Sequence, residues 1–419
     1  MSEQRRVVVV GGGAAGFFAA ITCAEKLGAA GTVTMIEATA HPLAKVRVSG
    51  GGRCNVTHAC FEPRELAKRY PRGGRELLGA FHRWQPRDTV AWFAERGVEL
   101  KTEADGRMFP VTDDSETIVA CLLGAAEKAG VQRVTSMGVR QAERLQTSDG
   151  TGAFWLTRTD GSGLRCERLL LATGGNRSSA GFTIAAALGH TIEPLVPSLF
   201  TFHIDDARLI GLSGVAVESA AVSLPGARLG GAGVQTGPLL ITHWGLSGPA
   251  ILKLSAWGAR ELAALKYEFP LVVNFAAGYT RESLQCELAT AREKNLRKQI
   301  ATWSPLPMPQ RLWERLVTAS GIAPATPWTG VGNAAVAKLA AQITAAEFKV
   351  VGKSTFKEEF VTCGGVQLSE VDFRTMESRA CPGLYFAGEV LDIDGVTGGF
   401  NFQAAWTTGW LAGQAMAEF

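Results

Sequence analysis

The chain has 419 residues with 46% hydrophobic content, enough for about two or three domains and a large core. Its formal net charge of +3 is near neutral for this length, so the net charge gives no reason to expect binding to nucleic acid or to a membrane. No apolar stretch approaches the roughly 20 residues that span a bilayer, and the eight cysteines contain no CxxC pair. We therefore expect a cytoplasmic protein with reduced thiols, no metal site and no membrane contact.

The first element is a run of four valines, Val7 to Val10, followed by the sequence GGGAAG. The valines predict a strand buried on both faces, and Gly11, Gly13 and Gly16 stand at the GxGxxG spacing that opens a Rossmann helix. Gly11 permits the tight turn, Gly13 lets the backbone approach a pyrophosphate, and Gly16 allows close packing of helix and strand. This segment predicts a dinucleotide site at the N-terminus of the helix.

The context supports that interpretation over a glycine turn in an ordinary α/β unit. An Ala-rich helix over 17–27 and a strand over 32–36 follow the glycines. Glu37 ends the second strand, about where an acid meets an adenosine ribose hydroxyl. An acid at this position favours an unphosphorylated ribose.

A second glycine-rich loop spans residues 49–55 and reads SGGGRCN. Its three adjacent glycines offer free N–H groups, and the guanidinium of Arg53 adds donors suited to anionic oxygens. The loop indicates either an anion or flavin contact or a flexible surface turn.

The next α/β signal comes after an alternating stretch, 138–168, that predicts a small antiparallel sheet. A buried strand then ends in Ala172-Thr173-Gly174-Gly175, where small residues let the chain pass close to a dinucleotide. A purely structural strand end is the alternative, and the N-terminal fingerprint favours the cofactor contact.

The region from Leu195 to about Cys363 breaks the α/β rhythm and is predicted to be an insertion. Its first part alternates like the strands of a barrel or sandwich, and its later part is mainly helical with a basic face. That face is either a phosphate-backbone contact or a solvated surface; it comprises Arg281, Arg292, Lys294, Arg297, Lys298, Arg311 and Arg315. His243, beside Trp244, is a candidate general acid or a hydrogen-bonded structural residue.

The C-terminal part predicts a second glycine-rich strand–loop–helix unit. The strand covers 383–389, the loop 392–401 and the helix about 402–417. The N-terminus of this helix would direct positive potential at whatever lies in front of Gly398 and Gly399.

Together these motifs resemble the bacterial YhiN/BaiN-type (HI0933-like) FAD-dependent oxidoreductase family. The resemblance covers nearly the whole chain and rests on VVVVGGGAAG at 7–16, SGGGRCN at 49–55, GRMFP at 106–110, LLLATGG at 169–175, THWGLSGPAIL at 242–252 and GLYFAGEVLDIDGVTGGFNFQAAWTTG at 383–409. SGGGRCN and the C-terminal motif are specific, whereas GxGxxG and ATGG occur in many flavoproteins.

The resemblance implies an α/β fold with a discontinuous Rossmann-like FAD domain at 1–194 and 364–419. It further implies an inserted β-barrel at 195–248 and 346–363, and a mainly helical insertion at 249–345.

The resemblance also assigns residues to a noncovalent FAD. The implied contacts are Gly11, Gly13, Ala14, Ala15 and Gly16 at the pyrophosphate, Glu37 at the ribose, Gly388, Glu389 and Asp394 at the diphosphate and ribityl side, and Gly398, Gly399, Phe400 and Asn401 at the isoalloxazine. The SGGGRCN loop lies near the flavin in this assignment, with Ser49, Gly50, Gly51, Gly52, Arg53, Cys54 and Asn55, as do Thr173 and Gly174.

The implied reaction is reduction of an activated carbon–carbon double bond, with NAD(P)H as a transiently docked electron donor. Members are linked to uracil in ribosomal RNA and to bile-acid enones, so the substrate is rRNA or a small molecule. Cys54 is the first candidate for the proton donor, and a small buried cysteine packed against the cofactor is the alternative. An amine-type oxidase and a nonenzymatic flavin-binding redox protein stay open as alternatives. No oligomeric state is implied.

Overall fold

The computed structural model describes residues 5–146, 152–226, 233–354 and 361–418. Its backbone packing separates two compact units. The first unit holds the described residues up to Val196 and those from Val361 onward, and the second holds those from Pro197 to Ser354.

The N-terminal part of the first unit alternates strands and helices. Its strands are β1 (Arg5–Val10), β2 (Gly31–Ile36), β3 (Thr57–His58), β4 (Leu100–Thr102), β5 (Arg107–Pro110), β6 (Gln132–Val134), β7 (Val139–Leu145), β8 (Ala153–Arg158), β9 (Gly163–Cys166), β10 (Arg168–Leu171) and β11 (Ile192–Ser198), the last of which crosses into the second unit. Its helices are α1 (Ala14–Leu27), α2 (Ala44–Gly52), α3 (Pro63–Ala67), α4 (Gly74–Phe81), α5 (Pro86–Ala94), α6 (Ser115–Lys128) and α7 (Ala180–Ala187).

The second unit and the C-terminal return follow. The second unit contains β12 (Phe202–His203), β13 (Ala216–Ser223), β14 (Val234–Thr242), β15 (Gly245–Ser247), α8 (Pro249–Trp257), α9 (Ala259–Ala264), β16 (Phe269–Asn274), α10 (Arg281–Lys294), α11 (Gln310–Ala319), α12 (Asn333–Thr344), β17 (Ala346–Val350) and β18 (Gly352–Lys353). The first unit resumes with β19 (Val361–Val366), β20 (Val371–Asp372), β21 (Glu377–Ser378), β22 (Leu384–Phe386) and α13 (Phe400–Met416).

The main sheet of the first unit has the order β20-β21-β22-β10-β1-β2-β6. The strands from β22 to β6 run parallel, with Val7 opposite Arg168 and Val10 opposite Leu171. The four valines of β1 are buried, as a strand covered by helices on both faces requires. The predicted Rossmann-like α/β fold is confirmed.

Helices α1 and α13 pack against each other at very short range. A Cβ on Gly409 would lie 2.6 Å from the carbonyl oxygen of Ala15, and one on Gly413 would lie 2.6 Å from that of Ala19. The two glycines, one turn apart, therefore let the last helix of the chain lie directly on the helix of the N-terminal fingerprint. This contact brings the two ends of the sequence into one core.

The second unit is built on another seven-stranded sheet, with the order β17-β16-β13-β14-β15-β12-β18. Its edge strands β17 and β18 are consecutive in the chain, with only Val351 between them. One segment therefore borders both edges, which requires the sheet to curl. Strand β16, which matches the one strand predicted at 269–275 within the mainly helical part, joins this sheet. Closure into a barrel and the three-part domain division stay predictions.

None of the helices in the described ranges has the length and hydropathy that crossing a membrane requires.

Candidate functional site

The ends of three parallel strands, β1, β10 and β22, meet at the carboxyl edge of the main sheet. A Cβ on Gly11, which has φ 112°, would lie 2.3 Å from the carbonyl oxygen of Ala172. A Cβ on Gly388 would lie 2.9 Å from the Cβ of Ala15, and Gly174 faces the carboxylate of Glu389. The edge where doubly wound sheets bind ligands is thus formed by three of the predicted cofactor segments.

The first turn of α1 is open at this edge. Gly13 is its N-cap, and no side chain in the described part of the chain caps the turn. A Cβ on Gly13 would meet nothing within 4 Å. The turn therefore leaves room for a ligand at the positive end of a buried helix, which is the arrangement that suits a diphosphate.

Glu37 lies beside this turn at the end of β2. One carboxylate oxygen accepts from the amide of Gly12 at 2.7 Å, and the other accepts from the amide and hydroxyl of Thr39, both at 2.8 Å. The side chain therefore shapes the glycine turn. A carboxylate has about four acceptor positions, so capacity remains for a ribose hydroxyl.

The SGGGRCN loop has a backbone that only glycines adopt without strain. Gly50, Gly51 and Gly52 have φ of 59°, 71° and 86°, and α2 loses helical geometry from Ser49 onward. A Cβ on Gly50 would lie 2.8 Å from the ring of Phe109. The glycines are therefore required by the backbone path itself, whatever the loop contacts.

Arg53 is turned toward acidic side chains of its own unit. Its Nη1 lies 2.7 Å from Glu103 and 3.4 Å from Asp113, and its guanidinium lies 4.0 Å above the ring of Phe109. Both carboxylates are shared with other cations, Glu103 with Arg107 and Asp113 with Lys101. An anion or flavin contact by Arg53 stays a prediction, and its described contacts brace the loop.

Cys54 has no solvent exposure, and its amide donates to the carbonyl of Ser49 at 3.0 Å. Burial raises the pKa of its thiol to about 12, against a smaller lowering by a hydrogen bond with Ser49. Because burial penalises the thiolate, the group stays protonated at neutral pH and is a weak acid. It can donate a proton only to a strongly basic carbon.

We expect Cys54 to resist alkylation in the native protein, because the thiolate is the reactive form and its thiol is buried. Exposed Cys286 is the matched control. Treatment with N-ethylmaleimide at neutral pH, followed by peptide mass spectrometry, should modify Cys286 and leave Cys54 free until denaturant is added. Equal rates at the two residues would contradict the buried, protonated thiol.

The C-terminal glycine loop lies against the SGGGRCN loop. With its amide oriented to satisfy both neighbours, Asn55 accepts from the amide of Gly399 at 3.0 Å and donates to the carbonyl of Thr57 at 3.1 Å. A Cβ on Gly399 would lie 2.5 Å from that same carbonyl oxygen. Two loops more than three hundred residues apart in sequence therefore form one surface, as the predicted isoalloxazine contacts require.

Other residues hold the C-terminal loop in place. Asn401 forms hydrogen bonds with both the amide and the carbonyl of Gly395, at 2.8 and 3.0 Å. Phe400 stacks on His58 with ring centroids 4.7 Å apart, and its carbonyl accepts from the hydroxyl of Tyr70 at 2.7 Å. Asn401 thus organises the loop through its side chain, and a cofactor contact by it stays a prediction.

Asp394 is completely buried and carries a bidentate ion pair with Arg72, whose Nε lies 2.5 Å from one carboxylate oxygen. This engagement anchors the loop to the segment before α4. Glu389 is paired with Lys45 at the start of α2. Arg72, Tyr70 and Lys45 were not predicted as site residues, because their partners are fixed only by the tertiary fold.

His243 lies in the second unit, in the exposed turn between β14 and β15. Its Nδ1 is 2.8 Å from the hydroxyl of Ser213. Its role as an acid stays a prediction, and the hydrogen bond fits the structural alternative.

The model of one protein family, described as the HI0933-like protein Rossmann domain, matches residues 5–415. The chain belongs to the HI0933-like family.

Curated relatives of this HI0933-like chain align nearly end to end. It is 31% identical to the ribosomal RNA dihydrouridine synthase of Escherichia coli, over 94% of this chain and 95% of that protein. It is 29% identical to the 3-dehydro-bile acid delta(4,6)-reductase of Clostridium scindens, over 96% of this chain and 97% of that protein. The predicted family and the prediction of an FAD-dependent oxidoreductase are confirmed.

A solved structure supports the fold. The 3-ketosteroid delta1-dehydrogenase from Sterolibacterium denitrificans matches 98% of this chain and 99% of its own chain, with a TM-score of 0.52 and 12% identity. At that identity the likeness concerns the fold alone.

Proposed function

We propose that the chain reduces an activated carbon–carbon double bond with electrons from NAD(P)H, and that its substrate is uracil in 23S ribosomal RNA, which becomes dihydrouridine. The observation that carries this proposal is the end-to-end match to a ribosomal RNA dihydrouridine synthase. An rRNA substrate would also place the protein in the cytoplasm.

The residues at the carboxyl edge of the sheet fit FAD. The open first turn of α1 would hold the diphosphate with the amides of residues 13–16, and Glu37 would accept from the ribose. The paired loops at Asn55 and Gly399 would face the ring, with the N-terminus of α13 directing positive potential there. Bound FAD would supply hydride transfer, after reduction by the nicotinamide, to the electron-poor carbon of the double bond.

The protein must also supply a proton to the neighbouring carbon. We propose Cys54 or His243 as the donor. Cys54 carries its proton throughout the neutral range because its pKa is raised to about 12. Turnover of a Cys54→Ala variant separates the two candidates: its loss would assign the proton to Cys54, and its retention would favour His243.

Reduction of a small-molecule enone is the second candidate, because the bile acid reductase matches this chain at nearly the same identity and coverage. The two reactions share the saturation of a double bond conjugated to a carbonyl group. They differ in whether the second partner is a large polyanion.

The deciding experiment is nucleoside mass spectrometry of 23S rRNA from a deletion strain and from the same strain complemented with the gene. We expect dihydrouridine to fall in the deletion strain and to return on complementation. Unchanged dihydrouridine would overturn the rRNA substrate. In that case, NADPH-dependent reduction of a steroid 4-en-3-one by the purified holoenzyme would support the second candidate.

A further inference from the structure

Residues 64–75 form a strongly basic stretch of the first unit. Five of these twelve residues are cationic (Arg64, Lys68, Arg69, Arg72 and Arg75), and one, Glu65, is acidic. The net charge of the whole chain is only +3, so the overall charge does not reveal this local concentration of cations. A basic stretch of this density needs either internal partners or an external anion.

The stretch lines a cleft between α3 and the first turn of α4, with a volume of about 470 Å³. Its lining includes three cationic side chains, Arg64, Lys68 and Arg75, and one carboxylate, that of Glu76. Lys68 is paired with Glu65 at 2.6 Å. Arg64 and Arg75 are exposed, and no carboxylate in the described ranges pairs with either. Two unpaired guanidinium groups therefore border one cleft.

The first turn of α4 adds hydrogen-bond donors to the same cleft. Its N-cap is Gly73, with φ 78°, and no side chain of the described chain caps it. Gly73 and Gly74 both line the cleft. Backbone amides beside two arginines are a donor set that suits the oxygens of a phosphate group.

The floor of the cleft rests on the C-terminal glycine loop. Tyr70, which lines the cleft, donates to the carbonyl of Phe400, and a Cβ on Gly73 would lie 2.6 Å from the side chain of Ile393. Arg72, between them, is paired with Asp394. A strand held in the cleft would thus lie one layer of residues from the loop that we assign to the isoalloxazine.

We propose that the cleft lined by Arg64, Arg75 and the first turn of α4 binds the phosphate backbone of the RNA strand that contains the target uracil. This inference rests on the proposed function. It differs from the sequence-based prediction, which places the basic face in the second unit. There, Arg315 donates to the carbonyls of Ala207 and Ile210 and Arg311 to that of Gly211, so part of that face stabilises the unit itself.

The test compares the double variant Arg64→Gln/Arg75→Gln with the matched control Arg281→Gln/Arg297→Gln, which removes two exposed charges of the second unit. Each holoenzyme is titrated with a fluorescein-labelled oligouridylate between about 50 and 200 mM KCl, and Kd is read from anisotropy. We expect the cleft variant to bind on the order of tenfold more weakly, with the salt slope reduced in magnitude by about 1.4 for two lost phosphate contacts. The control should keep the wild-type slope. Flavin content and Tm establish that both variants are folded.

Dihydrouridine formation on rRNA from the deletion strain is measured in parallel. A cleft variant that keeps the wild-type Kd and slope, while the wild type forms dihydrouridine, overturns the cleft and leaves the proposed function standing. If the cleft variant has the reduced salt slope but the wild-type enzyme forms no dihydrouridine, the RNA-binding cleft is retained and the proposed function is overturned. If only the control variant has a reduced salt dependence of Kd, the RNA contact would be assigned to the second unit and the cleft proposal would be overturned.

Discussion

Gly16→Ala is expected to lower the Tm by about 10 °C, corresponding to a loss of roughly 3 kcal/mol. The added Cβ would lie 1.9 Å from the carbonyl oxygen of Gly11. That carbonyl cannot retreat, because the amide of Gly11 donates to Ile36 and a Cβ at Gly11 itself would strike Ala172. The helix must therefore move away from β1. Since α1 is buried along most of its length, that movement opens the core against α13.

The Tm of the purified variant, followed by circular dichroism, provides the measurement. Gly124→Ala in α6 is the matched control, since a Cβ there meets nothing within 4 Å and the site is exposed. Alanine in a helix interior is more favourable than glycine by about 1 kcal/mol, so the control should gain stability. A Gly16→Ala protein with the wild-type Tm would show that helix and strand are not packed at this distance.

The Rossmann framework was predictable because its signals are local. Four valines and the three glycines of the GxGxxG fingerprint, all within ten residues, specify a buried strand and the turn that follows it. The position of Thr173 and Gly174 beside the N-terminal glycines was also predictable, because they follow β10 and the carboxyl ends of parallel strands meet at one edge of the sheet. Neither inference depends on where a distant side chain points.

The partners of the charged site residues could not be predicted in the same way. Arg53 pairs with Glu103 and Asp113, fifty and sixty residues further along, and Asp394 pairs with Arg72 across more than three hundred residues. Long charged side chains find their partners by the tertiary fold, so spacing in the sequence carries no signal for them. The family resemblance assigned Arg53 and Asp394 to the site without indicating whether they face the cofactor or brace the loops around it.

Gly13→Ala is expected to leave the fold intact and to weaken FAD binding on the order of a hundredfold, because the second glycine of the fingerprint is the point of closest backbone approach to a pyrophosphate. Gly13 has φ −88° and ψ −173°, which an alanine adopts without strain, and its Cβ would touch no protein atom within 4 Å. At an N-cap, alanine in place of glycine costs at most about 1 kcal/mol. The Tm of the apoprotein should therefore stay within a few degrees of the wild-type value.

The loss of FAD affinity must come from steric exclusion of the ligand in the space in front of the turn. A methyl group there would stand between the amides of Ala14 to Gly16 and an approaching phosphate, which removes hydrogen bonds to a charged group. Flavin content after purification and titration of the apoprotein with FAD, followed by quenching of flavin fluorescence, measure the effect, with Gly124→Ala as the control. Substitutions at two glycines of one fingerprint would then act for different reasons, at Gly16 through packing within the protein and at Gly13 through exclusion of the ligand. Because a Gly13→Ala variant that binds FAD as tightly as the wild type would place the diphosphate elsewhere, this substitution tests the location of the cofactor without disturbing the fold that holds it.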